Sequence, residues 1–273
     1  MTSDKSRCIG IVAAVMLLSI AFATLRIVIT VNYYDVSESL YAKGAESVGI
    51  VRVVFALCLL ALGVFAFLLT RKNKFKELPE TTHGVVFTGS LCGFMFISSV
   101  ILQTIYFFND VRKSSGKAVF IIFILSLLFA ALSSLYYFWA ASTTFFKKLP
   151  YRIFCVMPAL WAACYAVTIY FSKGTVINSP ERMIIQLSVI MIMLYTVSEG
   201  RFHFGIARPR LHVALSAVTV VVIITACVPN FLLTAFWLLP FSSDTVFSVL
   251  QVGVAMYILQ RMISVINAKP VEE

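Results

Sequence analysis

The chain predicts an all-α fold, a polytopic transmembrane helical bundle of about eight spans with both ends on the cytoplasmic side (N-in/C-in). Three observations carry that expectation. First, the 273 residues are 60% apolar and only 12% charged, with mean hydropathy +0.95. A soluble domain is about half apolar and about a quarter charged. One aqueous core cannot hide so much apolar surface, whereas a bilayer solvates it. Second, the apolar residues fall into eight long runs without the period-2 alternation of an outer-membrane barrel. Third, Lys and Arg concentrate in alternate connections between those runs.

A spanning helix needs about 20 mainly apolar residues. In lipid its backbone groups must bond within the segment, so each run reads as helix. In order, the runs are Ile9–Val31, Gly49–Thr70, Val85–Phe108, Ala118–Ala141, Ile153–Ser172, Met183–Ser198, His212–Phe236 and Thr245–Val265. The sixth becomes long enough when Glu181 and Arg182 form its first turn, giving 181–198. In the first run, Lys5, Arg7 and Ala21-Phe22-Ala23 resemble a secretory signal with a small-residue cleavage site. The run resumes after Arg26 with Ile27–Val31, a length that predicts a retained span. Pro150 precedes the fifth run. Ser179-Pro180-Glu181 offers the sixth a cap, a first-position proline and a first-turn acid. Ser243-Asp244 opens the eighth in the same way. No short repeat and no linker divides the chain, so residues 1–273 read as one integral membrane domain.

Orientation follows from the basic residues of short loops. With the N-terminus inside, the inner side holds Lys5, Arg7, Arg71, Lys72, Lys74, Lys76, Lys147, Lys148, Arg152, Arg201, Arg208, Arg210, Arg261 and Lys269. The outer side holds Lys43, Arg112, Lys113, Lys117, Lys173 and Arg182, while Arg26 and Arg52 fall deeper inside spans. Short loops and high hydropathy point to a bacterial cytoplasmic membrane. The basic run 71–76 faces anionic inner-leaflet lipids in this orientation. Tyr33, Tyr34, Tyr151 and Trp237 sit near span ends, as an interfacial aromatic belt does.

Composition and motif searches narrow the function. The net charge of +10 is accounted for by topology, so nucleic acid is not an expected partner. Almost the whole chain is used in spans, which leaves no room for a soluble catalytic domain. The six cysteines (Cys8, Cys58, Cys92, Cys155, Cys164 and Cys227) form no CxxC and read as apolar packing residues. His83, His203 and His212 lack HExxH spacing. No Asp lies deep in a span, and the last two runs hold no Lys. Neither a phosphate-binding nor a dinucleotide fingerprint is present. Pro158 and Pro229, the two prolines inside runs, do not occupy corresponding positions, which argues against a transporter built from two broken-helix repeats. No catalytic residue, metal site or cofactor is expected.

One depth pattern stands out. Arg26, Arg52, Gln103, Gln186, Asn230 and Gln251 all lie roughly 5–10 Å below the outer boundary at 1.5 Å per residue. Polar groups within a span are costly and face a bundle interior or water. Arginine binds carboxylate or phosphate through parallel hydrogen bonds. The six residues therefore predict an outward-facing pocket for an anionic small molecule, with Tyr106 and Tyr257 adding polar edges. Asp35, Glu38 and Glu46 are competing partners for the arginines. Snorkelling to headgroups and interhelical hydrogen bonds are the structural alternative. The inner half shows no comparable set.

A second segment is Tyr195-Thr-Val-Ser-Glu199-Gly-Arg201-Phe-His203-Phe-Gly205. Tyr195 and Glu199 share a helix face. Glu199 meets the negative end of the helix dipole and needs compensation, for which Arg201, Arg208 and Arg210 are at hand. This cytoplasmic elbow reads as a docking or gating element, with His203 pH-sensitive, or as a plain positive-inside turn. The functional expectation is a transporter or permease-like protein for an anionic small molecule. The alternative is a non-catalytic sensor, scaffold or subunit acting through a membrane or cytoplasmic protein. A lipid-modifying enzyme ranks last.

Overall fold

The computed structural model describes residues 2–35, 40–41, 46–70, 79, 81–114, 116–142, 152–171 and 180–268. The architecture is an all-α polytopic bundle. Among the described residues, eight helical spans are long and apolar enough to cross a membrane: α1 (Thr2–Tyr33), α2 (Glu46–Leu69), α3 (His83–Leu102), α4 (Lys117–Ala140), α5 (Met157–Phe171, its span completed by the 3-10 turn Ile153–Val156), α6 (Pro180–His203), α7 (Pro209–Ala235) and α8 (Ser243–Asn267). A two-residue antiparallel pair, β1 (Tyr34–Asp35) with β2 (Leu40–Tyr41), follows α1 and sets Tyr34 against Tyr41.

The helix ends have identifiable causes. Thr82 caps α3, accepting from the Val85 N–H at 3.4 Å. Ser242, rather than Ser243, caps α8, where Ser242 and Thr245 form a reciprocal capping box. Pro180 and Pro209 open α6 and α7 at the first position, where a missing N–H costs nothing. Just past the end of α6, Gly205 has φ +71°. There the Ile206 N–H reaches the Arg201 carbonyl and the Gly205 N–H reaches that of Phe202, the Schellman pattern that favours glycine. Trp237, with φ 61°, repeats the pattern after α7 without glycine's freedom. Ser179, Tyr151, Pro150 and the basic run 71–76 lie outside the described residues.

Three helices depart from the expected bounds in ways that matter. The α3 helix passes through a π turn, Gln103–Phe107, and continues as Phe108–Ser114. Here Thr104 Oγ1 donates to the Val100 carbonyl at 2.7 Å. The α6 and α8 helices run on past the apolar windows to His203 and Asn267. Toward these ends, Glu199 of α6 meets Tyr257 and Arg261 of α8.

Six helices close a ring, each packed on the next in the order α3–α4–α5–α6–α7–α8 and back to α3. Outside it, α1 and α2 pack on α7, and α1 also on α8. The α7 span is the most buried and the α2 span the least. Helices α3 and α4 approach closely at Gly89, where an added Cβ would sit 3.1 Å from the Tyr137 carbonyl oxygen. Aromatic rings fill the ring's interior. Phe96 of α3 stacks on Tyr137 of α4 at 5.3 Å and meets Trp161 of α5 edge-on at 5.0 Å. Tyr137 continues to Tyr257 of α8 at 5.0 Å, and Trp161 to Tyr165 and Phe247.

Candidate functional site

The six polar residues expected at one depth divide into two sets. Arg26, Arg52 and Gln186 line one cavity of about 490 Å³ between α1, α2 and α6, with Thr225 of α7 at its floor. Gln103, Asn230 and Gln251 instead pair with α8 or its helical neighbours. The Gln103 amide donates to the Ser243 carbonyl at 2.9 Å and accepts from Ser243 Oγ at 2.7 Å. Asn230 Nδ2 donates to Ser248 Oγ at 2.8 Å. Ser188 Oγ donates to Gln251 Oε1 at 2.5 Å. These three fix α3, α7 and α6 against α8.

Arg26 has a backbone task. Pro229 lies inside α7; lacking an N–H, it strips the carbonyl four residues back of its helical donor. That carbonyl belongs to Thr225. Arg26 Nη1 donates to it at 2.8 Å and also to the Ala226 carbonyl. Arg182 acts similarly elsewhere: its guanidinium donates to the Ile169 and Tyr170 carbonyls at the end of α5. It is therefore a first-turn residue of α6, buried, and not a loop charge.

Arg52 differs from both. It is exposed, and its guanidinium carbon lies 5.7 Å from the Tyr41 ring centre, a cation–π contact. Among the described residues, the cavity lining carries two arginines, the Gln186 amide and no carboxylate, within otherwise largely apolar walls. The side chains of Asp35, Glu38 and Glu46 lie outside the description. Tyr106 is exposed and is absent from this lining.

The opposite end of the ring holds a polar cluster that the depth pattern missed. Glu199 is fully buried. Its Oε1 accepts from the Tyr257 hydroxyl at 2.7 Å and from Arg261 Nε at 3.1 Å. The cation that meets Glu199 thus comes from α8, not from Arg201, Arg208 or Arg210. Tyr195, one turn earlier, stacks obliquely on His212 at 5.1 Å, and His212 Nδ1 lies 3.2 Å from Ser198 Oγ. His203 lies edge-on to Tyr136 at 6.2 Å. Arg201 is half-buried. Among the described residues, Glu199 Oε2, Arg261 Nη1 and the Tyr137 and Tyr195 hydroxyls are buried and meet no hydrogen-bond partner.

The signal for this cluster was present. Tyr257 and Arg261 stand four residues apart, as do Tyr195 and Glu199, so each pair presents one helix face. Reading Arg261 as a topological loop charge concealed the match. At the other end of the aromatic filling, the Tyr165 hydroxyl donates to Asp244 Oδ1 at 3.0 Å. The interior therefore carries a tyrosine–carboxylate bond near each end. No family model matches the chain, and neither a curated protein nor a solved structure is found similar to it.

Proposed function

We propose that this multi-pass membrane protein is permease-like and takes an anionic small molecule into the cavity between α1, α2 and α6. The observation that supports it is the meeting of Arg52, Arg26 and Gln186 at one cavity of about 490 Å³ whose described lining has no carboxylate. Ligand sites are typically apolar concavities of about 300–1,000 Å³ with a few convergent polar groups. Arg52 is the anion-binding group in this reading, because Arg26 is engaged with α7. The proposed setting is a bacterial cytoplasmic membrane with both chain ends inside, which turns the cavity outward. Uptake by proteoliposomes tests it. Arg52→Ala lowers anion binding or uptake about tenfold or more, the scale of one lost charged hydrogen bond, while the protein stays folded. Equal uptake by Arg52→Ala and wild type overturns it.

The second reading is a non-catalytic sensor, scaffold or subunit acting through a partner protein. Its support is α2, the least buried span, which leaves a long apolar face for a neighbouring helix. Co-purification of a membrane partner that contacts α2, together with silent uptake assays, favours this reading.

A further inference from the structure

We infer that the anion taken by this cavity is the headgroup of a bilayer lipid whose acyl chain lies between α2 and α6. The inference rests on the reading that the cavity binds an anion, and it names the class. Both α2 and α6 pack along α7, yet they scarcely touch each other. The space between them is therefore a slot with α7 as its floor, open toward the surrounding lipid. Phe55 of α2 and Ile190 of α6 line it, and Ile190 and Met183 stand exposed at its lip. Those apolar side chains add nothing to the hold of Arg52 on a small anion, whereas an acyl chain attached to the anion gains by contact with them.

The polar groups complete the match. Arg52 is the seventh residue of α2, roughly 9 Å along the helix from its first residue. That depth suits a group that reaches a headgroup while its stem stays in the acyl region. A guanidinium held near a ring, as Arg52 is 5.7 Å from the Tyr41 ring centre, can still offer N–H donors to two phosphate oxygens. Gln186, on the opposite wall, supplies a neutral amide for the remaining polar atoms of a headgroup. Among the described lining residues no carboxylate competes for the site. An anionic phospholipid satisfies the charge and the apolar slot together.

The test is native mass spectrometry of the full chain from vesicles of equal phosphatidylglycerol and phosphatidylcholine. Wild type retains phosphatidylglycerol preferentially. Arg52→Ala loses that preference about tenfold, on the scale of one charged hydrogen bond, and Arg52→Lys keeps part of it. Ile190→Trp fills the slot and lowers retention with Arg52 still present. Arg52 and Ile190 are both exposed, so these variants fold. If glycerol phosphate, which has no acyl chain, displaces the lipid at equal concentration in an Arg52-dependent way, the lipid inference falls and the anion cavity stands. If neither probe binds through Arg52, both fall.

Discussion

Glu199 of α6 and Arg261 of α8 form an ion pair at 3.1 Å with side chains 0% and 2% exposed. Helices α6 and α8 flank α7 in the ring and make little direct packing contact. The pair therefore ties together two helices that packing barely joins, as the Ser188–Gln251 bond does nearer the other end. Only one guanidinium nitrogen and one carboxylate oxygen take part, and the Tyr257 hydroxyl shares that oxygen.

Removing one partner of a buried pair leaves an uncompensated charge, which costs about 3–5 kcal/mol. Glu199→Gln and Arg261→Met should each lower stability by that amount in detergent unfolding titrations. The double variant should cost clearly less than the two losses added together. Additive losses would show that the pair does not stabilise the bundle as a unit.

Tyr257→Phe should cost about 1.5–3 kcal/mol, the value of a hydrogen bond to a charged group. Tyr106→Phe, at an exposed position, should be neutral within about 0.5 kcal/mol. Thermal unfolding of the two variants side by side makes the comparison. Equal shifts would mean that the Tyr257 hydroxyl contributes nothing to holding Glu199.

Arg26→Ala should lower stability by about 2–3 kcal/mol, because it strips the donor from carbonyls buried in the bundle. Pro229→Ala restores an N–H to the Thr225 carbonyl. In that background, loss of Arg26 should cost less by about 1 kcal/mol or more, measured as a coupling energy between the two sites. A coupling energy of zero would detach the arginine from the proline.

The two polar sets should separate by readout. Gln103→Leu, Asn230→Leu and Gln251→Leu should each cost about 0.6–2 kcal/mol of stability, the range for interhelical hydrogen bonds in bilayers, with anion binding unchanged. Gln186→Leu should do the reverse, weakening anion binding with little change in unfolding. Loss of anion binding in the first three variants would return them to the site.

The spans were legible because they depend on one property read along one dimension. Bilayer solvation demands about 20 apolar residues, and every expected run overlaps one of the eight helices. Relations between helices depend on which neighbour each helix has and how it is rotated, and hydropathy contains neither. Depth alone grouped Gln103 with Arg52, although Gln103 turns into a helix contact with Ser243, 140 residues away. The Arg26 contact was half legible. Pro229 announces a bare carbonyl at Thr225, and Arg26 lies at the same depth, but nothing in the chain says that α1 lies beside α7. Arg261 was misread because a cation near a span end serves the positive-inside pattern and a buried pair equally well.

The bond between Arg26 and the α7 backbone also orders events during synthesis. Its partners follow 199 and 200 residues later in the chain, so α1 leaves the ribosome long before the carbonyls exist. The first helix must therefore settle at a membrane depth, or beside an insertion factor, that tolerates its arginine while five more spans are made. Completion of α7 is the moment at which α1 can lock into place. A ribosome-bound chain stopped before Thr225 would hold α1 differently from the finished protein.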